Sequence, residues 1–140
     1  MAAALLQHAF EAESGPLRKF RVISAGVAAR RGDPVSANSV AALKKVGLDI
    51  AQHRSQPTTQ EMLNRAFAVL CMTELHRAMI MVQADPLPRH LHLFREFMPG
   101  EVDREIGDPF SGPLALYEVA RDEMVEALPS LVKHLRSLVG

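Results

Sequence analysis

The sequence predicts an α/β fold in which a parallel sheet carries helices on both faces. Three observations carry that prediction. Helical patterns of about 10–15 residues alternate along the chain with short apolar or β-branched runs. One of those runs, residues 67–72, is apolar on both faces, as a buried parallel strand is. The connections carry Gly, Pro and Asp where helices start and stop. The 140 residues form one domain, 1–140, long enough for a single sizeable core.

Residues 1–13 are Ala-rich, with Leu5, Leu6 and Phe10 on roughly one side, and Ser14-Gly15-Pro16 ends that helix. The run 21–24, Arg-Val-Ile-Ser, reads as a strand that empties into a loop at Ala25-Gly26. The loop 27–33 is polar, and Asp33-Pro34 opens a helix with Val40, Leu43 and Val46 on one face. Gly47 stops it. Thr58 and Glu61 form a capping box for a further short helix. After the strand at 67–72, Thr73 caps a helix predicted to face inward through Leu75, Met79 and Val82 or Ile80, which ends at Asp85-Pro86. Residues 90–94 alternate with period two and read as a third strand. A Gly/Pro/acid-rich loop spans 98–113. The last helix, 114–138, has an apolar stripe of Leu116, Ala120, Met124, Leu128, Leu131, Leu135 and Leu138, with a kink expected at Pro129.

Three strands are few, since a sheet usually has about 4–6. The sequence also opens on a helix where such folds open on a strand. The expectation is therefore a sheet whose N-terminal central strand is missing.

Composition narrows the function. Sixteen Lys+Arg balance sixteen Asp+Glu, which argues against nucleic acid and against a polybasic membrane anchor. The longest apolar stretch is 66–72, far short of the ~20 residues of a membrane span, and no basic n-region marks a secretory signal. The single Cys71 excludes an internal disulfide and a multi-Cys zinc site and fits a reducing cytoplasm.

Five motifs occur in order: Ser24-Ala25-Gly26; Gly32-Asp33-Pro34; Gly47-Leu48-Asp49-Ile50 with His53-Arg54-Ser55; Val69-Leu70-Cys71-Met72-Thr73 with His76; and Asp108-Pro109-Phe110. In that order and spacing, across essentially the whole chain, the sequence resembles the low-molecular-weight protein tyrosine phosphatase family. The resemblance implies four parallel strands. The first runs into a Cys, five residues, Arg loop, whose amides wrap the substrate phosphate at a helix N-terminus. It further implies attack by the Cys thiolate on phosphorus, a bidentate Arg clamp, and a distant Asp that protonates the leaving group and then deprotonates water.

The sequence departs from that pattern at its start. Residues 1–6 match the family's first helix from an internal Met onward, so the first strand, nucleophile and Arg have no counterpart. The resemblance assigns Asp108 as general acid and Phe110 and Arg30 to the substrate entrance. It assigns Ser24 and His53 to support of the phosphate loop by hydrogen bonding. No cofactor and no metal are expected.

Two further residue sets invite chemistry. Cys71 and Arg77 also have five residues between them, at the junction of a strand and a helix. That segment has no Gly to let amides converge, Glu74 would repel a dianion, and Cys71 lies in an apolar run that makes a thiol inert. Cys71 reads as a buried core residue. His90 and His92 project from one strand face without a third ligand nearby, and read as an ordinary strand face. The expected function is phosphomonoester hydrolysis, on a phosphorylated protein or a small phosphomonoester, inactive in this chain for lack of the nucleophile loop. The alternative is a non-catalytic phosphatase-like binding or regulatory module. An arsenate reductase of the same fold needs further cysteines. The absent strand also predicts unpaired edges and self-association through the sheet gap.

Overall fold

The structure, a computed structural model, describes residues 1–26 and 31–139. Helix α1 (Ala2–Glu11) follows from its alanines, the best helix formers, and buries Leu5, Leu6 and Phe10. A 3₁₀ turn at Pro16–Lys19 places Pro where a missing N–H costs nothing and buries Leu17. Helix α2 (Ala37–Lys44) is capped by Ser36, whose Oγ accepts the Ser39 N–H at 3.2 Å. It closes at Gly47, φ +84°, which lets the Leu48 N–H reach back to the Leu43 carbonyl. Then come α3 (Gln60–Arg65), β1 (Val69–Cys71), α4 (Glu74–Gln83), β2 (Leu91–Leu93) and α5 (Leu114–Val139).

β1 and β2 pair in parallel, Leu70 opposite His92, with α4 as the crossover between them. Side chains alternate across this small sheet. Leu70, Met72 and Phe94 join the main core with Leu5, Leu6 and Phe10 of α1 and Met124, Leu131 and Leu135 of α5. Cys71 and Leu93 point the other way, to a thinner cluster with Leu63 of α3 and Ile80 of α4. Helices therefore cover both faces, and the α/β parallel class is as predicted.

Several elements differ from expectation. The run 21–24 is extended but has no ladder partner among the described residues; just past it, Gly26 forms an isolated bridge with Pro57. A strand needs a neighbour, and α1 lies where one would stand. With two strands instead of three, Val69 and Leu70 are only half-buried. Thr59, not Thr58, caps α3, its Oγ1 accepting the Met62 N–H, while the Thr58 N–H donates to the Gly26 carbonyl. The helix expected from Asp33-Pro34 starts three residues late, since Pro34 is bridged to Arg54.

On α4 the predicted inward face holds at Ile80, and in part at the half-buried Met79, but fails at Leu75 and Val82. Leu75 is 67% and Val82 86% exposed, while Ile80 and Ala84 fill the thin cluster. That cluster is too narrow to cover a wider stripe. On α5, Leu116 is exposed at the solvent end, and the helix continues through Pro129. No helix among the described residues is long and apolar enough to cross a membrane.

Candidate active site

Three of the five motifs converge on one cleft. Gly32, at φ +88°, turns the chain so that its N–H meets the Ser55 carbonyl at 2.7 Å. The Ser55 N–H returns to the Asp33 carbonyl at 2.9 Å, and the Ser55 Oγ accepts the Asp33 N–H at 3.0 Å. From the other side, the Gly26 N–H donates to the Gln56 carbonyl at 3.0 Å, and the Gln56 Nε2 donates to the Ser24 carbonyl at 2.9 Å. These bonds clamp segments 24–26, 32–34 and 53–57 together. The result is an open cleft of about 480 Å³ against Ala3, Ala4 and Gln7 of α1, with Val22 to Ser24, Arg31 and 53–56 on its other walls.

Ser24 and His53 meet in this cleft, with Ser24 Oγ 3.1 Å from His53 Nε2. Partial burial, together with positive charge that includes Arg54, holds the His53 imidazole below its ordinary pKa. Near neutral pH that ring is neutral and able to accept from or donate to a hydroxyl. Arg54 is committed locally: its Nη1 donates to the His53 carbonyl at 2.9 Å.

Asp108 and Phe110 are elsewhere. They belong to the loop before α5, and neither is among the residues lining the cleft. The Asp108 Oδ1 accepts the Phe110 N–H at 3.0 Å, a local turn bond, and Phe110 is 78% exposed. The loop is tied to α2, because the Asn38 Nδ2 donates to the Gly112 carbonyl at 3.1 Å. Both side chains are accessible. Arg30 lies outside the described residues.

Arg31, Gln56 and Gln7 line the cleft and were not singled out from sequence. Arg31 and Gln56 adjoin quoted motifs, a weak signal that was there to use. Gln7 had none, being one polar residue in an alanine-rich helix.

Cys71 is 5% exposed, and burial pushes its thiol up to about 11. Arg77 has no guanidinium edge to spare for an anion: it grips both Glu74 oxygens and, through Nη1, the Glu96 Oε1 at 2.6 Å. The Glu74 N–H at the start of α4 is taken by the Glu105 carboxylate at 2.7 Å. The Cys71-to-Arg77 spacing therefore builds no phosphate cradle. His90 and His92 share a strand side, but among the described residues no group of three His, Cys, Asp or Glu could hold a metal ion.

Residues 1–139 match the family model for low molecular weight phosphotyrosine protein phosphatase, and the chain belongs to that family. It is 35% identical to the protein-arginine-phosphatase of Geobacillus stearothermophilus, over 98% of this chain and 87% of that one. It is 31% identical to the probable low molecular weight protein-tyrosine-phosphatase EpsP of Ralstonia solanacearum, over 99% and 88%. Among solved structures, the YwlE arginine phosphatase of G. stearothermophilus superposes with a TM-score of 0.82 at 33% identity, covering 97% of this chain and 83% of that one.

Proposed function

We propose that these 140 residues are the body of a phosphatase of phosphorylated proteins, carrying the acid and the supporting side of the site but not the nucleophile. The observation that carries this reading is the state of Cys71. It is the only cysteine in the sequence, it is buried, and its thiol is pushed up to about 11. A thiolate nucleophile needs the opposite setting, exposed and electropositive.

In this reading Ser24 and His53 hold the phosphate loop in shape from the cleft, and Arg31 and Gln56 shape its polar mouth. Asp108 protonates the departing oxygen or nitrogen, and Phe110 beside it borders the entrance. The exposure of Asp108 and Phe110 supports that role, since a loop acid must reach a bound substrate. The identity to arginine phosphatases makes phosphoarginine in protein the first substrate to test, with phosphotyrosine second. A reduced buried thiol suits the cytoplasm.

The test is a chimera in which a strand and a Cys-x5-Arg loop from the Geobacillus relative precede Met1. The reading expects turnover in the chimera and none in the 140 residues alone. It also expects Asp108→Asn in the chimera to lower turnover about 10²–10⁴-fold for poor leaving groups and much less for good ones. Equal losses for both would remove Asp108 from the acid role. The buried thiol also favours a second reading, a module that holds a phosphorylated protein without hydrolysing it. Saturable binding of a phosphopeptide by the 140 residues, with no phosphate released, would support that reading.

A further inference from the structure

Away from the cleft, three imidazoles stand in a row across the seam between β2 and α5. His90 and His92 stack at 6.4 Å with ring planes 18° apart. His134 of α5 meets His92 edge-on at 5.5 Å and lies flat on Phe97 at 3.7 Å and 12°. Phe97 is itself edge-on to His92 at 5.0 Å, and Phe67 closes the other end of the row, 5.1 Å from His90. All three histidines are half-buried.

Among the described residues, one carboxylate contacts this row. The Glu96 Oε2 lies 2.7 Å from His92 Nδ1, while its Oε1 takes the Leu93 N–H and the Arg77 guanidinium. Burial alone would raise the Glu96 carboxyl. The Leu93 amide, His92 and Arg77 outweigh it and hold the group below the usual carboxylate range. The other charges near the seam are committed: Arg77 to Glu74 and Glu96, and Arg136 of α5 to Glu13 beyond α1 at 2.8 Å. One imidazolium in the row is thus neutralised by Glu96. A second would stand within about 5–7 Å of the first, partly out of water and with no carboxylate of its own.

We propose that the His90–His92–His134 row is an acid-sensitive latch: it seats the end of α5 on β2 with at most one proton, and a second proton loosens that end. The direction at His134 agrees. Burial first, then His92 and, least, His90, hold its pKa below the ordinary value, against an opposing effect of Glu96 that ranks between the two histidines. For such a group the neutral form is favoured in the fold. Its stabilisation is full above the unfolded pKa of ~6.5 and is lost as pH falls from there through the depressed folded value. Glu96 acts in a separate window, losing its contribution only below the ordinary carboxyl range of ~4.3. The latch therefore opens before general acid unfolding begins.

The test is amide hydrogen exchange of the 140-residue chain at pH 7.5 and 5.5, corrected for intrinsic rates. Residues 132–139 should lose protection severalfold at pH 5.5, while residues in α2 hold theirs. His134→Phe keeps the stack on Phe97 and should abolish the loss. Should that variant fold poorly, His134→Gln removes the same imidazole beside His92 and should likewise abolish the loss. Equal pH responses in wild type and a folded variant would overturn the proposal, as would unchanged protection in the wild type.

Discussion

The side-chain oxygen of Gln7 accepts the Val22 N–H at 2.8 Å, and the same carboxamide donates to the Phe20 carbonyl at 3.1 Å. In a parallel ladder one residue bonds the carbonyl of one neighbour and the N–H of the residue two further on. Gln7 makes that pair of bonds from α1, so its amide does for residues 20–22 what one peptide of an adjacent strand would do. Gln56 does part of the same for Ser24. This explains how an extended segment with no ladder keeps its shape, and why its edge is less open than the sequence implied.

Gln7→Ala should therefore destabilise more than a helix-surface change. Each backbone group left unsatisfied costs about 1–3 kcal/mol. The site is only part-buried, so the lower end of that range applies to the sum. Urea unfolding should show a lower midpoint with an unchanged slope. Light scattering should show more self-association in the variant than in the wild type, through the uncovered edge. A midpoint within error of wild type would mean that water replaces the amide at no cost.

Leu131→Ala and Leu75→Ala should separate sharply. Leu131 is 0% exposed in the main core, and its truncation should cost about 2–5 kcal/mol. Leu75 is 67% exposed, and its loss should stay within about 0.5 kcal/mol. Thermal or urea unfolding of the two variants checks this. A large loss at Leu75 would restore the inward face expected from the sequence.

The inward face of α4 was legible only in part. Both Leu75 and Ile80 are apolar, and periodicity alone does not say which stripe the protein has room to cover. The answer depended on the width of a five-residue cluster under α4, a tertiary quantity. Stops and caps were easier, because they act locally: Gly47 and Thr73 do what their chemistry dictates. At α3 two adjacent threonines offered a cap, and the chain uses Thr59, while the Thr58 N–H goes to the Gly26 carbonyl far along the chain. The strand at 21–24 had correct local propensity, but pairing is not a local property. For the site, the motifs marked Ser24 and His53, which the structure brings together. Arg31, Gln56 and Gln7 enter only through the way three segments are clamped around the cleft.

The thiol of Cys71 should be nearly silent to a disulfide reagent in the native state. With its pKa at about 11, roughly a thousandth is thiolate at pH 8, and burial shields it further. The rate should keep rising with pH up to about 11, and denaturant should bring it to that of a free thiol. Fast labelling of the folded chain at pH 7 would contradict the buried placement.

The most direct measurement is phosphate release by the 140 residues from a phosphoarginine protein and from a phosphotyrosine peptide, alongside the Cys71→Ser variant. Without an accessible thiolate and an amide cradle, two of the largest contributions to such a displacement are missing. The expected result is no turnover above buffer for either protein with either substrate. Turnover that Cys71→Ser abolishes would contradict the account and make Cys71 the nucleophile.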